Sequence, residues 1–208
     1  MKLISTSFQD GGIIPGDFAF CIPDDRGHVR LGSNQNPHLR WDDAPNGTKS
    51  FAIICHDPDV PSKGDDVNQE GKIVPASLPR VDFFHWIVLN LPADMTEIKA
   101  GSFSKEVTPR GKSGPEAPFG GFSGLNDYTA WFASDPDMQG QYYGYDGPCP
   151  PWNDSIWHRY IFTVYALDIE KMPLQGTING KAALEALQGH ILGKAEITGK
   201  YSLNPALS

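Results

Sequence analysis

Five side chains in this 208-residue chain have types and neighbours that can do chemistry together. Asp57 and Asp59 lie in HDPDVP (56–61), His85 in FFHW (83–86), and His158 with Tyr160 in WHRY (157–160). A carboxylate bonded to one ring nitrogen fixes a histidine's tautomer and leaves the other N–H to donate. Two such histidines and a tyrosine hydroxyl form a compact donor cup, suited to a phosphate or carboxylate oxygen. On a strand His158 and Tyr160 share a face while Arg159 points away, so Arg159 reads as a structural or partner-facing charge. If Asp57 continues its strand, it shares a face with Phe51, Ile53 and Cys55, as His85 does with Val81, Phe83 and Ile87.

The same residues admit other chemistries. His158 or His85 can act as general acid/base with Asp57 as orienter, on a phosphoester or ester. A nucleophile is missing, however: Ser113 and Ser123 sit in Gly-rich loops outside any G-x-S-x-G pattern, and Cys149 has only proline and polar neighbours. A binding protein is therefore favoured over an enzyme. Asp57, His85 and His158 can also ligate a metal, but two histidines beside a tyrosine and prolines suit anion capture better, and no metal or cofactor is expected. Taken singly, a buried His or Tyr is commonly a satisfied core residue and Asp-Pro-Asp a turn. His28, His38, His56 and His190 are read in that plain way.

The elements that must position these residues follow from pattern. Residues 160–167 are rich in Ile, Phe, Thr, Val and Tyr, which suit a pleated, buried surface and predict a central strand. Strands are also expected over residues 2–8, 36–41, 48–56, 81–91 and 194–203, the third ending at Asp57-Pro58 because prolines cannot donate into a ladder. Residues 62–80 read as a long surface loop, a lid or an insertion, and residues 100–145 as loop-rich. One helix is expected over 180–192, with Asn179 as N-cap, Leu184, Leu187 and Ile191 on one face, and Gly193 as its end.

Composition narrows the function classes. With 22 Gly, 18 Pro and 39% hydrophobic residues, short strands and shaped loops in one domain are expected. A net charge of -8 without a Lys/Arg cluster disfavours nucleic acid and anionic membrane surfaces as partners. No segment approaches the roughly 20 apolar residues of a membrane span, and the N-terminus is not signal-like. Cys21, Cys55 and Cys149 are odd in number, far apart and without a CxxC, which predicts reduced thiols and a cytoplasmic protein.

Residues 56–61 (HDPDVP), 83–93 (FFHWIVLNLPA) and 147–168 (GPCPPWNDSIWHRYIFTVYALD) resemble the two conserved regions of the phosphatidylethanolamine-binding protein family, which includes the Raf kinase inhibitor protein. The similarity is greatest to the bacterial and archaeal branch, and weaker matches run from GGIIP (11–15) to TGKYSL (198–203). The resemblance implies a mainly β fold: an antiparallel β-sandwich with a large central sheet, long loops and a C-terminal helix, spanning 1–208 as one domain. It implies a pocket formed by Asp57, Pro61, His85, Pro150, Pro151, His158 and Tyr160 that accepts phosphate-like or carboxylate anions and the phosphoethanolamine head group. Phe83 stands where many relatives carry Trp, keeping an aromatic wall without the indole donor. Residues 62–80 and about 131–140, with Trp131, Phe132 and Met138, look like additions beside the pocket motifs. Inhibition of a kinase or other partner protein, and pairing as a homodimer, are implied by relatives alone.

Overall fold

The computed structural model describes residues 1–174 and 176–207. In chain order the strands are β1 (Lys2–Ile4), β2 (Cys21–Asp24), β3 (His28–Leu31), β4 (Leu39–Asp42), β5 (Ser50–Pro61), β6 (Arg80–Pro92), β7 (Glu97–Ile98), β8 (Gly111–Lys112), β9 (Phe122–Ser123), β10 (Gln141–Tyr142), β11 (His158–Leu167) and β12 (Ile191–Tyr201). The α-helices are α1 (Tyr128–Trp131) and α2 (Gly180–Leu187). A central antiparallel sheet has the order β12-β11-β5-β6-β9. A smaller sheet, β1-β4-β7, the hairpin β2-β3 and the parallel pair β8-β10 complete a mainly β architecture.

Both faces of the central sheet are covered, which explains why β5 reads as a nearly continuous apolar run. Phe51, Ile53 and Cys55 pack into one core with Trp41, Trp86, Phe162 and Val164. Ala52 and Ile54 alternate into the other, with Ile87, Leu167, Ala183 and Leu187 of α2. The side-chain period of two therefore feeds two cores from one strand.

Three expectations about element limits are corrected. β5 does not stop at Asp57-Pro58 but continues to Pro61. Its register shifts between Asp57 and Val60, and beyond His56 it has no pairing to β11, so the prolines occupy a bulge and an edge where no ladder donor is required. The helix is shorter than expected: Asn179 does cap it, its side chain accepting from Ala182 N at 2.9 Å, but it ends at Leu187. Gly189, at φ +83°, makes the left-handed turn that only glycine takes freely, and Ile191 already belongs to β12. Gly193 instead sits inside β12 against Pro45, where a Cβ would approach the Pro45 ring to 2.9 Å. At the N-terminus, β1 is limited to Lys2–Ile4.

Candidate ligand site

The site is built where β5, β6 and β11 run side by side and their ends meet the loop after β10. His158 and Tyr160 point to the same side of β11 and are both buried, while Arg159 points away and its side chain is 52% exposed. Arg159 is held there by a two-pronged contact, Nε to Asp59 Oδ2 and Nη2 to Asp59 Oδ1, each 2.8 Å. The two carboxylates of Asp-Pro-Asp are thus divided: Asp59 fixes the outward arginine, and Asp57 turns inward. Asp59 N donates to Asp57 Oδ1 at 2.7 Å, which locks the inward rotamer.

His85 reaches the same space through a bulge. Cys55 pairs with Trp86 but His56 pairs with Phe84, leaving His85 as the extra residue. A bulge re-aims side chains. Trp86 accordingly packs in the core below His85, whereas Ile87, expected on the face of His85, enters the opposite core. The imidazole stands among Phe83, Tyr128 and Tyr160, with ring centroids at 4.9, 5.6 and 5.1 Å.

The hydrogen bonds of the two histidines differ from the expected donor cup. His158 Nδ1 lies 2.7 Å from Asp57 Oδ2 and its Nε2 lies 3.1 Å from Asp154 Oδ2, so both N–H groups are used within the protein. Asp154 in turn receives Arg80 Nη1 at 2.5 Å and Nη2 at 3.1 Å. The result is a buried line of alternating charge, Asp57, His158, Asp154, Arg80. Burial alone lowers the pKa of His158, but the bonds to Asp154 and Asp57 outweigh it and raise the value to about 9. For Asp154 burial raises the pKa, and the bonds from His158 and Arg80 reverse that into a net lowering. His158 is therefore an imidazolium at neutral pH.

His85 is its opposite. Nδ1 is 2.8 Å from the Asp146 carbonyl, an oxygen that can only accept, so Nδ1 carries the proton and Nε2 presents a lone pair. Burial, only partly offset by Asp57 and the Asp146 carbonyl, lowers its pKa to about 4. Asp146 is pinned from three sides, by Asn34 Nδ2 at 2.7 Å, Asn126 Nδ2 at 2.8 Å and Lys112 Nζ at 2.8 Å. Its N–H also donates to the His85 carbonyl at 3.0 Å. Asp146 is thus the residue that sets the tautomer of His85. Burial and the Asp57 carboxylate push Tyr160 well above the ordinary tyrosine pKa, so its hydroxyl keeps its proton.

Asp57, Pro61, Phe83, His85, Pro150, Pro151, His158 and Tyr160 all line one cavity of about 500 Å³. All seven expected ligand residues and the Phe83 wall are therefore brought together. Trp131, Phe132 and Met138 line it too, as do Val67 and Asn68 of the 62–80 segment. That segment is a fixed wall: Asn153 Nδ2 donates to the carbonyls of Asp66 at 2.8 Å and Lys72 at 3.1 Å, Asn68 N donates to Asn153 Oδ1 at 2.9 Å, and Val74 is buried. The remaining four histidines do not line this cavity; His28 stacks on Trp152, His38 bonds Glu97, His56 lies 5.9 Å from the Phe84 ring and His190 bonds Asp168. Ser113 and Ser123 border a separate cavity near Lys112.

Sequence reasoning missed Asp154, Arg80, Asp146 and Tyr128. Only Asp154, four residues before His158 in a polar loop, and Tyr128, in the motif GFSGLNDY, carried a local signal. The expectation of reduced thiols is also corrected, because Cys21 and Cys149 form a disulfide beside the cavity and Cys55 alone is a free, buried thiol. The hairpin β2-β3 returns to the proline corner formed by Pro148, Pro150 and Pro151 through Cys21 N and Phe20 N, both donating to the Pro148 carbonyl. A 128-residue separation gives no spacing signature, and the thiol argument for a reducing compartment falls with it. Thiol titration of denatured, unreduced protein is expected to find one reactive cysteine per chain, rising to three after reduction. Three before reduction would remove the crosslink. Replacing the pair is expected to cost about 2–4 kcal/mol, the typical range for a disulfide.

The sequence model of the phosphatidylethanolamine-binding protein family matches residues 4–202. The chain belongs to this family. Among its relatives is the Escherichia coli K12 protein YbhB, 34% identical over 202 residues that cover 97% of this chain and all of that protein. A Methanothermobacter thermautotrophicus protein is 33% identical over 201 residues, covering 97% of this chain and 98% of its own. The crystal structure of Escherichia coli YbcL, described as a new member of the mammalian family, superposes with a TM-score of 0.68 at 27% identity and covers 97% of both chains. In this phosphatidylethanolamine-binding protein family member, residues 56–61, 83–93 and 147–168 supply Asp57, Phe83, His85, Pro150, Pro151, His158 and Tyr160 to one cavity. Among the described residues no helix is long and apolar enough to cross a membrane, and no group of three or more His, Cys, Asp or Glu is placed to hold a metal ion.

Proposed function

We propose that this chain is a small-molecule-binding protein whose cavity floor takes a phosphate-like or carboxylate acid group, the phosphoethanolamine head group being one candidate. The observation that carries this reading is the convergence of Asp57, His85, His158 and Tyr160 in one cavity, each buried and held on one of the three strands β5, β6 and β11. The acid is bound in singly protonated form, or takes up a proton on entry. His85 Nε2 is an acceptor and His158 has no N–H to spare, so a hydrogen must lie between the ligand oxygen and His85. Tyr160, whose hydroxyl donates to Asp57 in the free protein, supplies the second donor by turning from that carboxylate to the ligand.

Binding rather than catalysis is supported by the same bonds. His85 and His158 bond to carboxylates and a backbone carbonyl, and none of these bonds runs to a serine, threonine or cysteine that they could activate. With both nitrogens occupied, His158 also presents no lone pair to a metal. Regulation of a partner protein that meets the cavity mouth, in a single domain spanning residues 1–208, belongs to the same proposal.

Titration with inorganic phosphate or phosphoethanolamine, followed by the ring signals of His85 and His158, tests it. A saturable shift of His85 is expected at millimolar ligand. Unchanged signals in demonstrably folded protein would overturn the reading.

A further inference from the structure

The cavity is too large and too apolar above its floor for a bare ion. A tetrahedral oxyanion fills the space of a few waters, about 30 Å³ each, whereas the cavity holds about 500 Å³, within the range of sites that enclose whole organic molecules. The floor is polar on one side only. Above it stand Phe83, Tyr128, Phe132, Met138, Val60 and Val67. Tyr128 and Phe132 are stacked, with centroids at 5.5 Å and planes at 18°, and Phe20 continues the stack at 4.5 Å from Tyr128.

These walls are built to stay in place. Asp127 clamps α1 to β6, its Oδ2 accepting from Phe84 N at 2.7 Å and its N–H donating to the Phe84 carbonyl at 2.9 Å. Met138 is held by Asp135 Oδ1 at 3.1 Å on its N–H and by the Tyr142 hydroxyl at 2.6 Å on its carbonyl. The rim is apolar as well, since Leu31 and Trp131, 52% and 54% exposed, both border the opening. Asp135, Asp137 and Lys63 also line the cavity, and two carboxylates against one ammonium disfavour a free dianion. A phospholipid with two long acyl chains would leave most of its apolar surface outside such a cavity.

Resting on the acid-head reading above, we infer that the ligand is an acid carried on a compact apolar body, an aryl phosphomonoester, whose ring lies between Phe83, Tyr128, Phe132 and Met138. The head sits on the floor by His85 and Tyr160, and the body replaces water against the aromatic walls. Burying a ring of this size against such walls is expected to tighten binding about ten- to hundredfold over inorganic phosphate.

Calorimetric titration of the full chain with inorganic phosphate, phenyl phosphate and phosphatidylethanolamine-containing phosphatidylcholine vesicles tests the inference. Phenyl phosphate is expected to bind at least about tenfold more tightly than phosphate, with the ratio falling toward one in Met138→Glu and in the surface variant Trp131→Ser. Equal affinity for the two ligands overturns the inference while leaving the acid-head reading intact. Failure of both small ligands to bind overturns the acid-head reading and the inference together. Tight vesicle binding without phenyl phosphate binding assigns the walls to a lipid surface and overturns the inference.

Discussion

Sulfate binding to this cavity is expected to weaken about tenfold per pH unit above about pH 4, whereas phosphomonoester binding stays level until about pH 6 and only then falls at the same rate. The first limit is the pKa of His85 and the second is the second ionisation of a phosphomonoester, near 6. In the free protein His85 Nδ1 donates to the Asp146 carbonyl and Nε2 is a bare acceptor. A fully ionised sulfate offers only oxygens, so its capture needs a proton on Nε2, which the free protein gives up above about pH 4. A monoprotonated phosphoester brings that hydrogen itself. The groups that face His85 are Asp57 on β5, His158 and Tyr160 on β11, and Tyr128 on α1. His158, raised to about 9, does not change charge between pH 4 and 7. Calorimetry in buffers of different ionisation enthalpy reads the proton directly: one is taken up per sulfate bound at pH 6, and about none per phosphomonoester at pH 5. Sulfate affinity constant from pH 4.5 to 6.5, on a scale where one unit of pH is tenfold, would show that His85 carries no such proton.

The second large effect is on stability, from the buried line Asp57, His158, Asp154, Arg80. The folded pKa of His158, about 9, lies above the unfolded value of about 6.5. Its contribution is therefore complete below about pH 6.5 and is lost as pH rises through 9, amounting to about 3 kcal/mol in all. Asp154 has the opposite sign: its lowered pKa stabilises the fold above the ordinary carboxylate range, and that share disappears in acid. Asp154→Ala leaves the His158 Nε2–H and one face of the Arg80 guanidinium without their carboxylate, at a cost of about 3–5 kcal/mol. Urea denaturation at pH 6 and pH 9 is expected to show the wild type losing stability over this interval and His158→Asn losing much less. A wild-type midpoint unchanged between the two pH values would refute the assignment of charge to His158.

These two effects show where local sequence rules suffice and where they stop. Strand alternation placed His158 and Tyr160 on one face and Arg159 on the other, because the period of two is a property of the backbone at each residue. It also placed Asp57 with Phe51, Ile53 and Cys55, since β5 holds its period through those positions. The same rule failed for Ile87, because the extra residue in β6 is set by register against β5, and register belongs to two strands together. It failed again for β5, whose prolines read as a stop when the neighbouring strand is unknown. Once β11 is seen to pair only as far as His56, they are permitted.

What the sequence by itself determined is the mainly β family fold and a part of the site, Asp57, His85, His158 and Tyr160, carried by short contiguous motifs. Only the tertiary structure decided what each histidine can do. His85 and His158 are the same residue type in similar strand contexts, yet one is held as a neutral acceptor by the Asp146 carbonyl, 61 residues away, and the other as a cation between Asp57, 101 residues away, and Asp154. The disulfide of Cys21 and Cys149 was likewise decided by how the hairpin β2-β3 returns to the proline corner. Within an unbroken strand a side chain's face is fixed by its own backbone, but a bulge, a protonation state and a covalent partner depend on atoms that only the packed chain brings together.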